Sequence, residues 1–84
     1  MLKITLKTSR PLAKYLPRGT SGTKTELRCE QGSTALDVIS RMGMPPEINY
    51  LLTLNGTIVP MSQRETTVLS DHDEITILPP LKGG

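Results

Sequence analysis

Leu51-Leu52-Thr53-Leu54-Asn55-Gly56-Thr57-Ile58-Val59-Pro60 carries the strongest local signal in this chain of 84 residues. A type I′ turn needs positive φ at both central residues, and Asn55-Gly56 supplies both. The apolar and β-branched runs on either side therefore read as a hairpin of two strands, the second ended by Pro60.

Toward the C-terminus a polar stretch follows, and Val68-Leu69 then leads into the acidic turn Asp71-His72-Asp73. Ile75 and Ile77 alternate with Glu74, Thr76 and Leu78, which marks a last strand with one buried face. Pro79-Pro80 stops it. Leu81-Lys82-Gly83-Gly84 offers nothing to a core and reads as an exposed tail, so the expected domain is 1–80 and the tail 81–84.

Toward the N-terminus, Gly32-Ser33-Thr34 opens a helix, and Thr34 with Asp37 has the spacing of a capping box. Ala35, Leu36, Val38, Ile39 and Met42 form its apolar face, opposed by Asp37, Ser40 and Arg41. Gly43 suits the left-handed position after the last turn, and Pro45-Pro46 forbid continuation. Further back, Leu2, Ile4 and Leu6 alternate with Lys3, Thr5 and Lys7, and Thr25, Leu27 and Cys29 with Lys24, Glu26 and Arg28. These are two more half-buried strands. Between them Ser9 to Gly22 is a loop, in which Leu12, Ala13, Tyr15 and Leu16 supply one helical turn over the core.

The order is β-β-α-β-β-β. One helix of this kind needs a sheet to cover, which predicts an α+β domain with the helix on one face of a mixed sheet. The expected core is Leu2, Ile4, Leu6, Leu27, Cys29, Leu36, Ile39, Leu52, Leu54, Ile75 and Ile77. The period of two then sends Leu51, Thr53, Leu78 and Pro80 to the opposite face, where an exposed apolar patch marks a docking surface.

Composition excludes several kinds of function. The net charge is +2, with seven basic residues and one acid between Met1 and Arg28. Phe and Trp are absent and there are two Tyr, so a base-stacking platform is missing and no nucleic-acid partner is expected. The basic stretch reads as a solvated face. No segment is long and apolar enough to span a membrane, and the N-terminus lacks the apolar run of a signal peptide. The single cysteine, Cys29, permits no internal disulfide and points to a reducing, cytoplasmic location. Facing inward, it acts as a small hydrophobe. The only histidine, His72, has no nucleophile or second ligand beside it and reads as a solvated turn residue; no metal site is expected.

The chemistry then rests on the terminus. A Gly-Gly pair without side chains can thread a narrow channel on another protein. A free carboxylate is a poor electrophile, but as an acyl-adenylate it accepts a sulfur nucleophile and becomes a thiocarboxylate.

The residues Leu54-Asn55-Gly56 with Ile58-Val59-Pro60, Leu69 to Glu74, and Ile77-Leu78-Pro79-Pro80-Leu81-Lys82-Gly83-Gly84 resemble the ubiquitin-like sulfur-carrier family. That family includes the molybdopterin synthase small subunit and the thiamin-pathway carrier. Leu12 to Pro17 and Gly32 to Leu36 also match, so the resemblance covers essentially the whole chain. It implies a β-grasp (ubiquitin-like) fold, with the first and last strands adjacent and parallel. It implies a protein cosubstrate rather than an enzyme. Gly84 would be adenylated by an E1-like enzyme and would carry sulfur to a synthase subunit. Gly83, Lys82 and Leu81 would thread the channel, and Leu51, Leu78 and Pro80 would dock. No cofactor is expected on this chain, since ATP and any zinc belong to the partner. The long first loop is closer to the molybdopterin type, while thiamin and other sulfur pathways stay open. So do a protein modifier joined through Gly84 to lysine and a non-covalent interaction module. One departure concerns the turn before the last strand, where the family has Asp-Gly-Asp. Asp71-His72-Asp73 puts a histidine at a position of positive φ, at some cost.

Overall fold

Alternation does what the period of two predicts in β1 (Leu2–Thr8), where the even-numbered residues are buried. The computed structural model describes residues 1–16, 22–43 and 50–79. Within these, β2 (Lys24–Cys29), β3 (Leu51–Leu54), β4 (Thr57–Ile58) and β5 (Glu74–Leu78) join β1 in one sheet of order β2-β1-β5-β3-β4. β1 and β5 are parallel neighbours, and every other pairing is antiparallel. The sheet is therefore mixed, as expected, with the last strand inserted at its centre.

The helix α1 (Ala35–Met42) is fixed at both ends. The Thr34 side chain accepts from the Asp37 N–H, and the Asp37 carboxylate accepts from the Thr34 N–H, completing the capping box. Gly43 ends the helix at φ 66, a left-handed conformation that glycine adopts without a Cβ penalty. The buried face of α1 is Ala35, Val38, Ile39 and Met42. Leu36, expected in the core, is instead 40% exposed. At about 100° of rotation per residue it lies a full step off the stripe that Ala35, Ile39 and Met42 share, so in an eight-residue helix it falls on the flank.

The deepest core consists of Ile4, Leu6, Val38, Leu52, Ile75 and Ile77. Leu2, Leu27, Cys29 and Ile39 are buried as expected, and Leu54 is half-buried against the cluster. The first loop contributes a 3-10 helix at Arg10–Tyr15 that lays Leu12 and Leu16 on the core. A second 3-10 turn, Met61–Gln63, follows β4. It leads to Arg64, a residue that the sequence places in a polar stretch yet is only 7% exposed. The Arg64 guanidinium stacks 4.4 Å from the Tyr50 ring centre and Nη2 donates to the Tyr50 carbonyl. The Arg64 carbonyl in turn accepts the Leu36 N–H in the first turn of α1. One residue thus links the connection after β4 to the helix and to the start of β3.

Candidate functional site

The Asn55-Gly56 turn has φ 52 and 87, the positive pair that the hairpin reading requires. A two-residue loop fixes the register, with Leu54 opposite Thr57 and Thr53 opposite Ile58. Cross-strand partners share a face, so Ile58 stands on the face of Thr53, away from the helix. It is 60% exposed. The sequence reading did not assign Ile58 to a face, although the register of the Asn-Gly turn was enough to do so.

On the same open face, Leu51 of β3 lies directly opposite Leu78 of β5. Their neighbours Leu52 and Ile77 form the next pair and are fully buried on the helix side. Leu78 is 38% exposed and Leu51 half-buried. The next row on this face is Ile58-Thr53-Thr76-Lys7, and below it Glu74 pairs with Thr5. The Lys7 ammonium stands 3.6 Å from the Glu74 carboxylate, both about two-fifths exposed. Leu51, Leu78 and Ile58 thus make the apolar end of an otherwise polar face, at the end of the sheet where β5 leaves. Of the expected docking residues, Leu51 and Leu78 are brought together; Pro80, Leu81, Lys82, Gly83 and Gly84 lie outside the described residues.

The entry to β5 is built differently. Asp73 accepts from the Ser70 N–H at 2.7 Å and from Asn55 Nδ2 at 2.9 Å. Asn55 Oδ1 accepts from the Glu74 N–H at 2.9 Å. Asp71 Oδ1 accepts from the Lys3 N–H at 2.8 Å, and the His72 N–H donates to the Lys3 carbonyl. His72 takes φ 68, the left-handed conformation expected at a position where the family has glycine. These bonds hold the turn to β1 and to the β3–β4 hairpin and offset that strain. The bond from Lys3 keeps the Asp71 carboxyl below its ordinary value of 3.8, against a smaller desolvation effect, with His72 beside it acting in the same direction. His72 Nε2 lies 3.3 Å from Asp71 Oδ2, and both are exposed. The two aspartates are anchors of the fold, a role that charge pattern alone does not announce.

Among the described residues no group of three or more His, Cys, Asp or Glu side chains is placed to hold a metal, and no helix is long and apolar enough to cross a membrane. Cys29 is buried, as expected, and Arg41 Nη1 approaches its sulfur at 3.6 Å.

Solved structures share this architecture. Small archaeal modifier protein 1 of H. volcanii superposes with a TM-score of 0.71 at 14% identity, covering 96% of this chain and all of the other. The thiamine biosynthesis protein ThiS of Geobacter metallireducens superposes with a TM-score of 0.61 at 15% identity, covering 95% of this chain and 99% of the other. At such identities the likeness establishes the β-grasp fold. No curated protein sequence matches the chain. The pattern of the ThiS family, however, matches residues 16–84, most of the chain, including both strands of the apolar pair and the Gly-Gly ending. The chain belongs to the ThiS family of ubiquitin-like sulfur carriers.

Proposed function

We propose that this protein carries sulfur as a thiocarboxylate on Gly84, loaded by an E1-like adenylating enzyme and delivered to a sulfur-accepting synthase. The observation that supports this most is the partly exposed Leu51–Leu78 pair at the exit of β5, in a chain whose family match runs through Gly84. An apolar patch next to a reactive tail can bind the enzyme while the tail enters its channel. In the first step the Gly84 carboxylate attacks the α-phosphorus of ATP and displaces pyrophosphate. In the second, a nucleophile at the level of hydrosulfide adds to the acyl carbon and expels AMP, leaving the thiocarboxylate. The protein is consumed and regenerated as a cosubstrate, and ATP binds the partner. The long loop between β1 and β2 favours molybdopterin synthesis, with this chain as the small subunit of the synthase, over the thiamin pathway.

The test is the intact mass of the protein purified from its native cells, and again after incubation with the adenylating enzyme of the same organism, ATP and a sulfur donor. One sulfur in place of one oxygen is the expected result. A series of larger adducts on lysines of other proteins, with no thiocarboxylate, would make it a modifier instead.

A further inference from the structure

β2 is an edge strand, with β1 as its neighbour among the described strands. The Thr8 N–H donates to the Thr23 carbonyl at 2.9 Å, and the antiparallel register runs from there to Leu2 opposite Cys29. In such a ladder alternate residues bond inward. Thr25, Leu27 and Cys29 therefore spend their backbone groups on β1, while Lys24, Glu26 and Arg28 direct theirs away from the sheet; Glu30 follows the strand, and its carbonyl accepts the Ser33 N–H. Lys24, Glu26, Arg28 and Glu30 are exposed and alternate in sign: positive, negative, positive, negative.

We propose that two copies of this chain pair through their β2 edges, antiparallel about Leu27. In that register Glu26 lies opposite Arg28 of the second copy, and Lys24 opposite Glu30. The outward-facing backbone pair Glu26–Arg28, made twice about the two-fold axis, is also a pair of opposite charges, and the Lys24 and Glu30 side chains add a further opposite-charge pair at each end. A slip of one residue turns inward-bonded groups toward the partner and forms no ladder. A slip of two in one direction sets Lys24 against Arg28 and Glu26 against Glu26. The same slip in the other direction sets Glu26 against Glu30 and Arg28 against Arg28. Like charges directly opposite are unfavourable, so charge and backbone parity select the same register.

The helix side of the edge has room for the partner. A groove of about 450 Å³ runs beside it, lined by Arg28, Cys29, Val38 and Arg41 among others. Thr25 of the second copy comes opposite Cys29 on this side and fills part of the groove. Arg41 Nη1 already donates to the Arg28 carbonyl at 2.8 Å. A carbonyl oxygen has two lone pairs, and the second remains for the Glu26 N–H of the other copy. The interface is one strand wide, so the dimer belongs to the small, weak class. It lies across β1 from the Leu51–Leu78 pair and does not depend on the sulfur-carrier reading.

Sedimentation equilibrium of the full chain from micromolar to millimolar concentration tests the proposal. The expected result is a monomer–dimer equilibrium. Glu26→Lys sets like charges against each other at both central pairs and should raise the dissociation constant about tenfold or more. The double exchange Glu26→Lys with Arg28→Glu restores opposite charges and should recover the dimer. Hydrogen exchange on the unmodified chain gives a second reading that needs no variant: the amides of Glu26 and Arg28 should become protected as concentration rises. A monomer at all concentrations, a dimer unaffected by Glu26→Lys, or unprotected amides in the dimer would each overturn it.

Discussion

At the entry to β5, Asp71, Asp73 and Asn55 tie the turn to β1 and to the hairpin with side-chain hydrogen bonds of 2.7 to 2.9 Å. At the exit of the same strand, Leu78 faces Leu51 across β3 with its side chain open to solvent. The polar end is closed on itself and saturated by partners within the chain. The apolar end is paired sideways, and among the described residues Leu78 keeps one surface exposed. Fixing a strand at its start and leaving its end available is what a domain needs if it must present the following residues to another protein. The anchored end and the proposed docking end are thereby separated by the length of five residues.

That separation can be broken from either end. The largest effect is expected beyond the exit. Deleting Gly84 shortens the chain by about 3.5 Å, which on the proposed carrier reading withdraws the carboxylate from the adenylating enzyme; thiocarboxylate formation should be abolished while the melting temperature is unchanged. Normal loading of this variant would refute the carrier reading. Next is Leu78→Asp, which puts a charge in the proposed docking patch. Its kcat/KM for adenylation should fall about tenfold or more, with a melting curve close to the parent's; an unaltered rate removes Leu51 and Leu78 from the interface.

The entry should show the reverse pattern. Asp73→Ala strands the Ser70 N–H and Asn55 Nδ2 and should cost about 2 kcal/mol of stability in urea unfolding, with loading per folded molecule maintained. A large loss of loading without loss of stability would mean that the two ends are coupled. The smallest effect is Asp71→Asn, read against pH. The Asp71 carboxyl titrates lower in the folded protein than its ordinary value of 3.8, so its contribution is complete above that value. It is lost as pH falls through the lower folded value. The parent should therefore exceed the variant by a constant margin above pH 3.8 and lose that margin below it. A gap that does not narrow in acid would place the Lys3 bond elsewhere in the energetics.

The two ends also differed in how far they could be read from sequence. The Leu51–Leu78 face followed from alternation alone, because a strand with Leu52 and Ile77 inward must send their neighbours outward. Thr34, Asp37, Gly43 and Asn55-Gly56 were legible for the same kind of reason: each satisfies a local backbone requirement within a few residues of itself. The anchoring by Asp71 and Asp73 was not legible. Apart from Ser70, their partners Lys3 and Asn55 are distant in sequence, and an acidic turn looks the same whether solvated or bonded. Arg64 escaped for a related reason. Its burial depends on the ring and carbonyl of Tyr50, and nothing in Met61-Ser62-Gln63-Arg64 foretells that neighbour. Leu36 was misplaced because a short helix tolerates an apolar residue on its flank.

The insertion of β5 between β1 and β3 also orders events in time. The strand nearest the start of the chain finds its parallel neighbour only when the residues up to Leu78 exist, so contacts of long sequence separation must close before the sheet has a middle. A copy that ends before β5 lacks the strand that joins β1 to β3, together with the core side chains Ile75 and Ile77. The Leu51–Leu78 face, which takes one residue from β3 and one from β5, is therefore present only in copies whose chain extends through Leu78.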